Sequence, residues 1–190
     1  MSDRAYHLLE RAASLLRSAQ RRAGQPLDPV HLAALAYLDR ANAFSDTPQA
    51  VGDYLGLAKG NVSQRLIWLE RHGYLEKRSD PRDGRVVHLR LTAQGREAVR
   101  RLSPPPIWRQ ACEGSPALEQ HLEDLLRALL AAGGYRTFGQ CLTCRFHESR
   151  PSGAFCGLLQ LALQPGQESR ICREHEPPPL AATLAPAPLA

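Results

Sequence analysis

Residues 57–99 read "LAKGNVSQRLIWLERHGYLEKRSDPRDGRVVHLRLTAQGREAV", and three residue patterns follow one another in them. Val62, Leu66 and Leu69 recur at helical spacing, which predicts a helix ending at Gly73. "YLEKRS" and "RVVHLRL" then alternate as two short strands around "DPRDGR", a turn sequence with glycine near its end. Thr92 follows as a helix cap, predicting a further helix to about Leu102.

The flanking sequence extends this order in both directions. Residues 3–22 carry Leu8, Leu9, Ala12, Leu15, Leu16 and Ala19 at amphipathic spacing, so they read as a helix. Asp28-Pro29 gives a cap followed by proline at the first helical position, and the helix it opens is expected to run to about Phe44. Thr47-Pro48 repeats the device for a short helix through Leu55. Gly52 and Gly56 suit a place where two helices cross closely and the chain turns. Downstream, "SPPPIW" is a stiff break, because three prolines cannot continue a helix. A leucine stripe from Leu118 to Leu130 then predicts a helix from about 117 to 132. Two helices joined by a tight turn and followed by a hairpin define a winged helix-turn-helix. The expected fold is therefore mainly α with a small β-hairpin wing, flanking helices and a small C-terminal module.

Charge places a function on this frame. The chain carries a formal +5, and the segment 48–101 holds 11 Lys/Arg against 6 Asp/Glu, so all of the excess sits there. If Val62, Leu66 and Leu69 face inward, Lys59, Asn61, Ser63 and Gln64 project outward, with Arg65 close by. These residue types reach base edges and phosphates in the major groove. At the hairpin tip, Arg82 and Arg85 flank Asp83-Gly84. A narrow minor groove attracts an inserted arginine, and a carboxylate beside it orients the guanidinium by a bidentate pair. The N-terminus is too charged for a signal peptide and no run approaches the length of a membrane span, so a cytoplasmic location is expected.

The stretch 57–99, with Asp80 and Arg82 in its turn, the DGR that follows and the L-T-x-x-G of Leu91, Thr92 and Gly95, resembles the core of MarR-type transcriptional regulators. The resemblance extends over about residues 3–132. It implies a homodimer whose terminal helices interlock and which binds a pseudo-palindromic operator in double-stranded DNA. By position it implies that Arg85 enters the minor groove with Asp83 bracing it, and that Asn61, Ser63 and Gln64 lie where the family contacts bases.

The last third of the chain needs a separate reading. Four of its five cysteines lie in the spacing C-x2-C-x11-C-x15-C, through Cys141, Cys144, Cys156 and Cys172. Four thiolates complete a tetrahedral zinc site or hold a 4Fe–4S cluster. "ICREH" keeps a zinc alternative open through Cys172 and His175. "CLTCRF", "FCGL" and "ICREHEP" resemble the small high-potential-type iron–sulfur modules of some glycyl-radical enzymes, with Phe146, Phe155, Leu158 and Leu159 available to shield a cluster. His147 reads as a surface residue and Cys112 as incidental in the linker. A thiol oxidoreductase using Cys141 and Cys144 would need a βαβ context and acid/base partners that the sequence does not offer.

The expected organisation is thus a DNA-binding and dimerisation domain over 1–134, a cysteine module over 135–176, and a disordered Pro/Ala tail over 177–190. The expected function is a dimeric regulator whose iron–sulfur cluster couples redox or iron state to operator binding. The alternative is the same regulator with structural zinc and a small-molecule signal.

Overall fold

The computed structural model describes residues 3–22, 26–81, 83–112 and 115–178. Arg82 and residues 179–190 of the Pro/Ala tail lie outside the described residues. The helices are α1 (Asp3–Arg22), α2 (Pro29–Arg40), α3 (Pro48–Leu55), α4 (Lys59–Arg71), α5 (Ala93–Leu102), α6 (Pro106–Cys112) and α7 (Pro116–Gly133). Strands β1 (Leu75–Ser79) and β2 (Val87–Leu91) pair antiparallel, with Leu75 opposite Leu91 and Ser79 opposite Val87.

Local chemistry starts α2, α3 and α5 where the sequence predicts. Asp28 accepts a hydrogen bond from the His31 amide, Thr47 from Ala50 and Thr92 from Gly95. Each cap satisfies an amide that has no partner within its helix. Gly56 ends α3 in the left-handed region at φ 64°, where a side chain would be strained. Gly52 lets α3 and α4 cross, since a Cβ there would stand 3.1 Å from Val62 Cγ2. Gly95 is tighter still, because its Cβ would stand 2.1 Å from the Tyr74 carbonyl oxygen. The glycine of the L-T-x-x-G pattern therefore lets α5 seat against the start of β1.

The core gathers around α2. Leu32, Leu35, Tyr37 and Leu38 pack with Val51, Leu66, Leu69, Leu75, Leu89, Val99 and Leu102 into one buried cluster. The terminal helices contribute almost nothing to it. Leu8 and Leu15 on α1, and Leu125, Leu126 and Leu129 on α7, are exposed. An apolar stripe on each of two long helices is thus left uncovered by this chain.

Residues 139–172 form short strands: β3 (Gly139–Gln140) pairs with β7 (Ile171–Cys172), and β4 (His147–Arg150), β5 (Gly153–Cys156) and β6 (Leu161–Ala162) make a three-stranded sheet. This unit has a small core of its own in Cys141, Leu163 and Cys172. It also docks on the winged helix. Phe138 inserts edge-on against Tyr37 and Tyr54, with ring centroids 5.9 and 5.2 Å away. Ala41 bridges to Ile171, and the Asn42 amide donates to the Ile171 carbonyl at 2.9 Å. Arg170 donates to the Asp39 and Ala41 carbonyls, and Arg173 pairs with Asp53 at 2.8 Å.

Docking explains one departure from the expected elements. α2 stops at Arg40 rather than near Phe44, because Ala41 is extended and residues 41–43 spend their backbone groups on the cysteine unit. A second departure is α6. Pro106 follows the break at a position where proline is tolerated, so "PIWRQAC" forms a two-turn helix and Cys112 closes it.

Candidate nucleic-acid interface and cysteine site

α4 buries Val62, Leu66 and Leu69 and turns the opposite face to solvent. Lys59, Asn61, Ser63 and Gln64 are all exposed on that face. Arg65 behaves differently. Its Nη1 pairs with Asp28 and its Nε donates to Asn61 Oδ1 at 3.0 Å. Asp28 therefore caps α2 and ties down α4 with one carboxylate. Burial alone would raise the Asp28 pKa, but the His31 amide and the Arg65 guanidinium outweigh it and hold the group below its ordinary value. Sequence spacing cannot tell which of several polar residues on a helix turns back to a neighbour.

The hairpin tip is built by two aspartates. Asp80 Oδ1 accepts from the Asp83 amide, and Asp83 Oδ1 accepts from the Arg85 amide, both at 3.0 Å. Asp83 also accepts from Arg85 Nε at 3.1 Å and Nη2 at 3.4 Å, a bidentate pair. The Arg85 side chain is nevertheless 93% exposed, so it is held in one direction and open to a ligand. Arg82, its expected companion, falls outside the described residues.

Behind the wing lies a network that residue patterns do not reveal. Asp46, only 3% exposed, faces His88 Nδ1 at 2.5 Å and Arg90 at 3.5 Å, and its carbonyl accepts from the Leu89 amide at 2.7 Å. His88 Nε2 meets Asp80 Oδ2 at 3.1 Å. The hydrogen bond to Asp46 raises the His88 pKa, Asp80 adds to it, and partial burial opposes.

The four clustered cysteines line a single cavity, together with Phe146, His147, Phe155, Leu158, Leu159, Leu163 and Glu174. The cavity thus brings together cysteines up to 31 positions apart in sequence (Cys141 and Cys172). The Cys172 pKa is lowered to about 6, chiefly by a hydrogen bond from Cys141; burial opposes, and Asn42, the Glu174 amide and Ser45 add donors. The Cys141 thiol is pushed up by the same bond, its burial and the adjacent Cys172 charge. Thiolate is the form that binds metals, and these donors favour it at Cys172. His147, expected at the surface, contributes a buried Nε2 with no hydrogen-bond partner among the described residues. A group in the cavity with acceptor atoms would satisfy it, so these residues fit an iron–sulfur cluster in donor type, apolar shielding and unmet polar demand. His175 is absent from the lining. Its ring nitrogens face Thr137 and Thr143 instead, which leaves a C-x-x-H zinc set unassembled. Among the described residues no three His, Cys, Asp or Glu side chains converge closely enough to hold a single ion.

Comparison with known proteins bears on the winged helix. The sequence model of the MarR family matches residues 25–86. The winged helix-turn-helix is thus similar to that of MarR-family transcription regulators. Over 130 residues the chain is 28% identical to the transcriptional repressor MprA of Escherichia coli K12, spanning 65% of this chain and 69% of MprA. The fold is shared with Sco3205, a MarR family regulator of Streptomyces coelicolor solved in complex with DNA, at a TM-score of 0.54 and 23% identity. That match covers 68% of this chain and 84% of Sco3205. The S. aureus MepR–DNA complex gives the same TM-score at 18% identity, over 70% of this chain and 99% of MepR. The family match ends at residue 86, well before the cysteines. Among the described residues, no helix is long and apolar enough to cross a membrane.

The His88 network makes a pH dependence. A folded pKa raised above the unfolded value of about 6.5 gives stability that is full below that value and is lost as pH rises through the folded pKa. The thermal midpoint of the protein should therefore fall, relative to His88→Gln, as pH rises from about 6.5. Parallel profiles for the two proteins would contradict the network.

Proposed function

We propose that this chain is a dimeric, DNA-binding regulator whose four-cysteine cavity holds an iron–sulfur cluster of the 4Fe–4S type, and that cluster state sets operator affinity. The observation that carries the cofactor is the shared cavity. A zinc ion needs all its ligands within about 2.3 Å of one point, whereas a cubane cluster presents a separate iron to each thiolate. Four cysteines around one cavity, with Phe146, Phe155, Leu158 and Leu159 in the same lining, suit the larger group. Cys141, Cys144, Cys156 and Cys172 would be the ligands. When bound, the cluster supplies a one-electron redox centre, and the protein's part is to exclude water and donate hydrogen bonds to sulfur.

The DNA-reading part rests on the family and on α4 and the wing. Lys59, Asn61, Ser63 and Gln64 face a major groove, Arg65 holds Asn61 in place, and Arg85, braced by Asp83, enters the minor groove. The uncovered stripes of α1 and α7 fit a second copy of the chain, which brings two winged helices to one operator with half-sites about one helical turn apart.

Protein prepared under strict anaerobiosis should be brown, with about four irons and four sulfides per chain, and Cys156→Ala should bleach it while leaving the winged helix folded. Colourless protein holding one zinc per chain would end the cluster reading. On the DNA side, Arg85→Ala should weaken operator binding by about 1–3 kcal/mol, measured by fluorescence anisotropy at fixed salt. An unchanged affinity in the folded variant would remove Arg85 from the interface.

A further inference from the structure

The segment Ala41–Asp46 joins α2 to α3, yet it carries three of the four buried polar side chains among the described residues. Asn42 and Ser45 are wholly buried and Asp46 is 3% exposed. Helix connections run on the surface because buried polar groups need partners. Here the partners come from two different places.

On one side they come from the cysteine unit. Asn42 Nδ2 donates to Cys141 Sγ at 3.6 Å, and its amide donates to the Ile171 carbonyl. The Ala43 amide donates to Gln167 Oε1, and the Arg173 amide, next to Cys172, donates to Ser45 Oγ, both at 2.8 Å. On the other side they come from the wing. Asp46 holds His88 and Arg90 with its carboxylate and the Leu89 amide with its carbonyl. Inside the segment, Asn42 Oδ1 accepts from the Phe44 amide and the Asn42 carbonyl accepts from the Ser45 amide, while the Tyr37 hydroxyl clamps the Ser45 carbonyl at 2.8 Å. From His88 the bonds continue through Asp80 and Asp83 to Arg85.

We propose that residues 41–46 are the link through which the state of the cysteine cavity sets the position of the wing, with Asn42 the positioning residue at the cavity end and Asp46 at the wing end. This deepens the cluster reading and rests on it for the identity of the signal. Asn42 donates to Cys141 and also serves Cys172, so any change that alters charge on either sulfur, or moves it, changes the bonds that its Nδ2 makes there. Asn42 is fully buried, so it cannot exchange the lost partner for water without moving the segment. The segment is short, closed at both ends by hydrogen bonds and clamped by Tyr37, so displacement at Asn42 is passed to Asp46 and from there to Leu89 and His88.

The test is amide exchange at Leu89, whose N–H is held by the Asp46 carbonyl, with the Val99 amide in α5 as an internal control. Full-chain wild type and Asn42→Ala are stripped of metal, then reconstituted anaerobically with iron and sulfide, and exchange is followed by NMR as the visible spectrum develops. Wild type is expected to change its Leu89 exchange by at least about fivefold between stripped and loaded forms, with Val99 constant. Asn42→Ala should acquire the same colour and show no change at Leu89 on loading. Ser45→Ala, which removes the Arg173 contact, serves if Asn42→Ala does not fold. A loading response in the coloured variant equal to that of wild type overturns the link, and so does a coloured wild type whose Leu89 does not respond. If neither protein takes up iron, the cofactor reading fails and the link is judged on the stripped proteins alone. Faster Leu89 exchange in Asn42→Ala, with Val99 unmoved, then supports it, and identical exchange overturns it.

Discussion

A buried polar group must be hydrogen-bonded, and Asn42 and Ser45 meet that requirement largely with atoms of the cysteine unit. A winged helix alone would leave these side chains facing solvent or unsatisfied. The short connection between α2 and α3 is thus shaped to receive residues 138–173, and several other features depend on that docking. It ends α2 at Arg40, gives Phe138 a place between Tyr37 and Tyr54, and sets the cysteine cavity directly behind the connection that braces the wing.

Under the function proposed above, the arrangement would let a small protein join DNA reading and cluster binding without a large hinge. The DNA side needs a recognition helix held at a fixed angle and a wing arginine held in a fixed direction. Asp28 supplies the first by bonding Arg65, and Asp83 supplies the second by bonding Arg85. The cavity side needs thiolates, shielding from water and donors to sulfur, and Asn42, Ser45 and the Glu174 amide supply the donors at Cys172. Residues 42–46 are bonded to both sides, to Cys141 through Asn42 and to His88 through Asp46.

Much of the winged helix was legible because its signals are local. Asp28-Pro29, Thr47-Pro48 and Thr92 announce helix starts through bonds made within three residues, and the wing strands announce themselves by alternation. Gly52 was legible as a glycine required by close approach, although only the structure shows what approaches, and the close approach at Gly95 is seen only in the structure. The four cysteines could be grouped by spacing, and their cavity gathers them with the phenylalanines and leucines expected to shield it. What the sequence hid was tertiary. Nothing local distinguishes Arg65, which turns to Asp28, from Gln64, which faces solvent. His147 looks like any histidine beside a motif until it is found lining the cavity with a buried Nε2. Residues 41–44 continue an alanine-rich helical composition, and only pairing with Ile171 explains why the helix stops before them. Nor does residue spacing show that the backbone and side chains of the cysteine unit bond directly to the winged helix.

In the function proposed here, occupancy of the cysteine cavity changes how the wing meets DNA. The most direct measurement is the dissociation constant for the operator, taken anaerobically at one salt concentration on a single preparation before and after removal of the cluster. Salt must be held fixed because phosphate contacts make any affinity steeply salt-dependent. The account predicts a change of at least about tenfold, corresponding to roughly 1.4 kcal/mol of coupling, within the range usual for linked sites. Equal affinity in the loaded and stripped dimers, both shown to be folded, would contradict it.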